Sequence, residues 1–171
     1  MPVFPGRYTA QSDEPFVVFL IGLRVNRLFA FNKWIPIARL MGPMIAELSK
    51  QPDSGFLHAE TMLYWRGVAL VQYWRSFEHL NAYAHHKGGL HLTAWAEFNR
   101  RVGNNGAVGI WHETFMVHAG QSEVIYVNMP RFGFAAAANH IPVKGRLDSA
   151  RSRMNLAQRD EPTLTDEIQH G

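Results

Sequence analysis

The stretch "FLHAETMLYWRGVALVQYWRSFEHLNAYA", Phe56 to Ala84, decides the fold. Up to Trp65 it reads as a strand, Arg66-Gly67 makes a tight connection, and "VALVQYWRS" reads as a second strand, so the two form an antiparallel hairpin. Ser76 then suits an N-cap, and Glu78 falls in the first helical turn, where the helix dipole favours an anion. "PDSG", Pro52 to Gly55, is a turn signal that separates the hairpin from what precedes it.

Outward from the hairpin the same alternation continues. "FVVFLIGLRVNRL", after Pro15, is rich in β-branched and aromatic residues and reads as a buried strand. Ile37, Leu40, Met41, Met44, Ile45 and Leu48 recur at helical steps; Pro36 suits a first turn, while Pro43 predicts a kink or break. Downstream, "FEHLNAYAHH" is helical and ends at Gly88-Gly89, and a second helix runs from about Leu90 to Val102, closed by "GNNG". "AVGIWHETFMVHAG" reads as a fourth strand and "SEVIYVNM" as a further one.

A βαββαβ order is the ferredoxin-like plan: an α+β fold whose antiparallel sheet carries both helices on one face. The strands are apolar in both parities, Val68 and Leu70 on one side and Ala69 and Val71 on the other, so both faces require cover. The simplest cover for the second face is another copy of the chain, which predicts a homodimer packed sheet to sheet. The organisation expected is an N-terminal arm over 1–15, a domain over 16–139, and a polar, basic tail over 140–171 that is extended or mobile.

Composition narrows the functional classes. The chain has 171 residues, no cysteine, and a formal charge of +3. Thiolate catalysis, disulfides and cysteine metal sites are excluded. The basic residues are scattered apart from Lys144, Arg146, Arg151, Arg153 and Arg159, and no basic helix appears, so no nucleic-acid partner is expected. "MPVFPGRYTAQSDEP" lacks a basic region followed by a long apolar run, and "FVVFLIGL" is too short to span a bilayer. The expectation is a cytoplasmic protein with no membrane partner. No phosphate-binding loop, nucleophile elbow or paired-carboxylate motif is present.

"VQYWRSFEHLNAYA", "HLTAWAEFNRRVGNNGAVGIWHETF" and "VIYVNMPRFGF" resemble a family of dimeric α+β-barrel proteins grouped with the fumagillin-pathway monooxygenase and akin to the antibiotic-biosynthesis monooxygenases. The resemblance covers about Phe16 to Phe134. It implies a ferredoxin-like protomer, a dimeric barrel, and a cavity between sheet and helices. It also implies one of several chemistries: O2-dependent oxidation of an activated aromatic or polyene substrate without a cofactor, or, as the alternative, haem-dependent oxidation or aldoxime dehydration. A non-catalytic ligand-binding dimer is the third reading. The relatives use small sets of Asn, Trp and His or Tyr; this chain has those residue types at other spacings, so no catalytic set is carried over.

His91, Trp95 and Asn99, four residues apart, span about 80° of a helix and share a face. As a functional set, His91 is a base or haem ligand, Trp95 a wall and Asn99 an anchor for a substrate oxygen. As a structural set, they pack a helix boundary. In "WHET" His112 and Glu113 point to opposite faces, so only one of them faces a cavity. His112 is the second candidate base or haem ligand. Among possible substrate contacts, Trp74 shapes the pocket, and Tyr73 and Arg75 share the other side of their strand. Arg75 either binds a carboxylate or pairs with an acidic neighbour. His58 is a strand histidine on the same face as Glu60, and Arg131 lies in "NMPRFGF", which reads equally as a loop over a cavity mouth or a turn anchoring the tail.

Overall fold

The computed structural model describes residues 1–86 and 89–154. Seven strands and five helices alternate along it. β2 (Phe16–Val25), β3 (Phe56–Tyr64), β4 (Gly67–Trp74) and β5 (Val108–Val117) form an antiparallel sheet in the order β3-β4-β2-β5. α1 (Phe31–Leu48) connects β2 to β3, and α2 (Phe77–Ala84) with α3 (Leu90–Arg101) connects β4 to β5. This is the ferredoxin-like βαββαβ arrangement, with the first strand and the third at the centre. No helix among the described residues is long and apolar enough to cross a membrane.

The hairpin turns at Trp65 and Arg66, one residue earlier than the Arg66-Gly67 connection expected, with Arg66 at φ 66° and Gly67 already in β4. The Arg66 guanidinium fastens this turn to the end of β2 by bonds to the carbonyls of Val25 and Asn26. Ser76 caps α2 by accepting the His79 N–H. α1 runs unbroken through both Pro36 and Pro43, where a kink or a break was expected at Pro43. A proline inside a helix costs about 3 kcal/mol; burial of Ile37, Met41 and Leu48 offsets it. The Asn32 carbonyl, released by the missing N–H of Pro36, accepts a bond from Arg101 of α3 at 3.3 Å.

The inner sheet face packs on α1 through Leu23, Val25, Leu70 and Val108 against Ile37 and Met41. At the other end of that face Val17, Trp74, Leu48 and Leu80 form a second cluster.

The outer face differs from the expectation of a surface left wholly to a second copy. β1 (Phe4–Gln11), β6 (Tyr126–Met129) and β7 (Asn139–Pro142) form a second antiparallel sheet in the order β6-β1-β7. With α4 (Phe134–Ala137) it covers Phe16, Val18 and Tyr73. The N-terminal segment read as an arm is therefore the central strand of this sheet. The tail expected to be extended or mobile from His140 begins with β7 and continues into α5 (Ala150–Arg153). Arg153 is buried there, bonded to Glu123 and to the carbonyls of Leu147 and Asp148. Residues 155–171, including Arg159, and Gly88 of the expected glycine breaker lie outside the described residues.

Candidate functional site

Between the inner sheet face and the helices lies a cavity of about 410 Å³. That volume falls in the range of small-molecule sites. Its floor is Phe19 and Ile21 of β2, Leu70 and Gln72 of β4, and Ile110 and His112 of β5. These six share one face because Phe19 pairs with Gln72 and Ile21 with Leu70 and His112. α1 supplies Met41, Met44 and Ile45 to the roof; α2 supplies Leu80 and Tyr83, and α3 supplies His91, Leu92 and Trp95. The lining is almost wholly apolar, with four polar side chains: Gln72, Tyr83, His91 and His112.

Of the residues singled out in the sequence, the structure brings His91, Trp95 and His112 to this cavity. Asn99 is exposed and lies outside it. Trp74 is fully buried behind the floor, with its indole N–H on Gln72 Oε1 at 2.9 Å. Tyr73 points to the outer face, against Phe134. Burial there, with Tyr126 and Glu60 nearby, pushes its phenol up to about 12. Arg75 is exposed beyond the end of β4. His58 pairs with Glu60 at 2.9 Å on the outer face and borders a smaller cavity of about 250 Å³. Arg131 is exposed with its guanidinium 5.9 Å from the Phe4 ring centre, so its loop leads into α4 on the outer face, away from the cavity.

The two cavity histidines differ in availability. His91 Nε2 lies 2.9 Å from the Ala84 carbonyl. A carbonyl only accepts, so Nε2 carries the proton and Nδ1 holds the free lone pair. Nδ1 is buried without a partner and abuts Gly89, where an added Cβ would stand 2.6 Å from it. The ring also lies 4.7 Å from that of Tyr83. His91 therefore ties the end of α2 to the start of α3. His112 is exposed at the rim beside Phe19, ring centres 5.7 Å apart, with no hydrogen bond to any described residue. Tyr83 remains a neutral phenol, because burial and then the Glu47 carboxylate push it up to about 12. Glu47 in turn caps α3 by accepting the Leu90 N–H.

Haem fits this lining only in part: His112 carries no competing bond, but an axial bond from His91 Nε2 requires loss of its bond to Ala84, and no arginine or lysine lines the cavity to pair with propionates. Among the described residues, no three His, Asp or Glu side chains converge as metal ligands.

A family described as monooxygenase af470-like matches residues 16–134, from the start of β2 to the start of α4. The chain belongs to that family. Monooxygenase af470 of Aspergillus fumigatus is 29% identical over 139 residues, covering 72% of this chain and 48% of the relative. The chain thus spans about half the length of that curated relative. Among solved structures, the chain is similar to SnoaB, described as a cofactor-independent oxygenase from Streptomyces nogalater. That match has 14% identity and a TM-score of 0.42, covering 58% of this chain and 90% of SnoaB. It is also similar to a dimeric ferredoxin-like protein of unknown function from Bacteroides fragilis, at 13% identity and a TM-score of 0.42, covering 58% and 96% of the two chains.

Sequence reasoning missed Gln72. Its signal was present: in "VALVQYW" it is the one uncharged polar residue sharing a strand parity with Leu70 and Trp74.

Proposed function

We propose that this chain is a small monooxygenase that oxidises an apolar, conjugated or aromatic substrate with O2 in the cavity under α1 and α3. The observation that carries the reading is an apolar cavity of about 410 Å³, with one solvent-accessible imidazole at its rim, in a member of a monooxygenase family. His112, at that rim, takes a proton from an acidic C–H or O–H of the substrate. The carbanion or phenolate then passes electrons to O2. For a methylene substrate the balance is CH2 plus O2 giving C=O plus water, so the substrate supplies all four electrons that reduce O2 and no protein-bound redox group is required. Trp95 and Leu92 shield the reacting carbon on the helix side. The assembly we propose is a homodimer. Phe115 and Met62 on the outer face remain about half and more than a third exposed beyond the reach of the second sheet.

An oxygen electrode tests this with anthrone, a dihydroxynaphthalene and a conjugated polyene acid as probes. Uptake above each probe's own autoxidation supports the reading. Binding of these probes with no oxidation of any of them makes the chain a binding module instead. A sharp Soret band in protein expressed with haem supplied would replace the cofactor-free chemistry with a haem reaction.

A further inference from the structure

Gln72 sits near the C-terminal end of β4, a central strand of the sheet, paired with Phe19 and Ala59, and is 5% exposed. Its amide orientation is fixed by chemistry. The Trp74 indole N–H only donates, so the atom 2.9 Å from it is the amide oxygen, and the NH2 is at the opposite end. Trp74 is 0% exposed, clamped by Val17, Leu48 and Leu80, and its indole is not free to turn. Among the described residues no acceptor bonds the Gln72 NH2, and the side chain lines the cavity. The NH2 donors thus have no protein partner at the edge of an apolar cavity, where a ligand acceptor can take the place of water.

We propose that Gln72 is the specificity-determining donor of this cavity, selecting ligands that carry a carbonyl or ionised hydroxyl oxygen on an otherwise apolar skeleton, with Trp74 as the positioning residue that aims it. This rests on the cavity being the ligand site. An amide does not titrate near neutrality, so Gln72 is no base. Its bond to the ligand oxygen strengthens as that oxygen gains negative charge on proton removal, which couples it to the rim imidazole. The sheet spacing puts the Cα atoms of Gln72 and His112, two strands and one residue pair apart, at about 12 Å. That separation leaves room for a fused-ring ligand between the two side chains.

The test uses 1-tetralone and tetralin, the same skeleton with and without a carbonyl, titrated into wild type and Gln72→Met by calorimetry. The ratio of ketone to hydrocarbon affinity falls about tenfold in the variant, while tetralin binding is unchanged. Trp74→Phe lowers the ratio by a smaller factor. A measurement that needs no variant accompanies it: in wild-type amide spectra, the Gln72 side-chain NH2 resonances shift with 1-tetralone and stay still with tetralin. An unchanged ratio in Gln72→Met, or NH2 resonances indifferent to the ketone, overturns the assignment while leaving the cavity as the ligand site. If neither compound binds, the cavity reading falls and the assignment falls with it.

Discussion

Trp74 and Gln72 form a buried pair whose coupling can be worked out from the structure. Trp74 is fully buried, and its N–H meets Gln72 Oε1 at 2.9 Å. Trp74→Phe removes three heavy atoms from a packed site, worth about 2 kcal/mol at roughly 0.8 kcal/mol per methylene-sized group. It also removes one hydrogen bond, worth about 1 kcal/mol. Because Gln72 borders the cavity, its freed oxygen need not stay unpaired, so the total is about 3 kcal/mol. Gln72→Met strands the indole N–H in a dry environment, at a cost of about 2 kcal/mol. The double variant has no N–H to strand and loses about 3 kcal/mol where a simple sum gives about 5, so the coupling is about 2 kcal/mol. Urea unfolding followed by far-ultraviolet circular dichroism measures all four proteins, with unchanged m-values licensing the comparison. Additivity to within about 0.5 kcal/mol would refute the claim that the two side chains hold each other.

Further expectations follow from the same geometry. His112→Phe abolishes oxygen uptake and leaves tetralin binding within about twofold, whereas Asn99→Ala changes neither, because Asn99 is outside the cavity. Loss of binding in Asn99→Ala would contradict the placement. Arg153→Met strands the Glu123 carboxylate and the Leu147 and Asp148 carbonyls, and lowers stability by about 2–4 kcal/mol in urea; a loss under 1 kcal/mol would show that the C-terminal segment contributes little to the fold. The Tyr83 phenol is raised from its ordinary 10 to about 12. The folded state then holds that proton more tightly than the unfolded state, so its contribution is complete below pH 10 and is lost as pH rises through 12. Tyr83→Phe removes part of this alkaline loss, and urea midpoints with the same slope above pH 10 in both proteins would count against the burial of Tyr83.

The hairpin from Phe56 to Trp74 and the element order around it are legible in the sequence because apolar runs, a two-residue turn and an N-cap agree locally. Of the second sheet only β6 is legible, as the strand read in "SEVIYVNM"; β1 and β7 are not. Pro5-Gly6 looks like a turn, yet Gly6 adopts φ 93° at a bulge within β1, with its N–H on Asn128 Oδ1 at 2.9 Å. β7 is only four residues long, and its partner lies about 130 positions away in sequence, so no local pattern announces it. Pro43 misleads for a related reason: tertiary burial outweighs a local breaker.

The site is legible in part. The face shared by His91, Trp95 and Asn99 drifts about 40° with every four-residue step, so the first two reach the cavity and the third turns outward. Periodicity shows which side chains share a face, but not that the His91 Nε2 is already committed to the Ala84 carbonyl. Gln72 hides behind its neighbours: a neutral amide in an apolar strand carries no charge signal, and its importance arises only from Trp74 fixing one end of it.

The most direct measurement of the central claim is turnover of anthrone under 18O2, with product oxygen read by mass spectrometry and uptake by electrode. Anthrone has one CH2 acidified by two flanking rings and, through them, a ketone. The account predicts product carrying one labelled oxygen, one O2 consumed per product, and a rate well above autoxidation that disappears in His112→Phe. Anthrone bound in the cavity yet oxidised no faster than in buffer, or oxidised equally by His112→Phe, would contradict it.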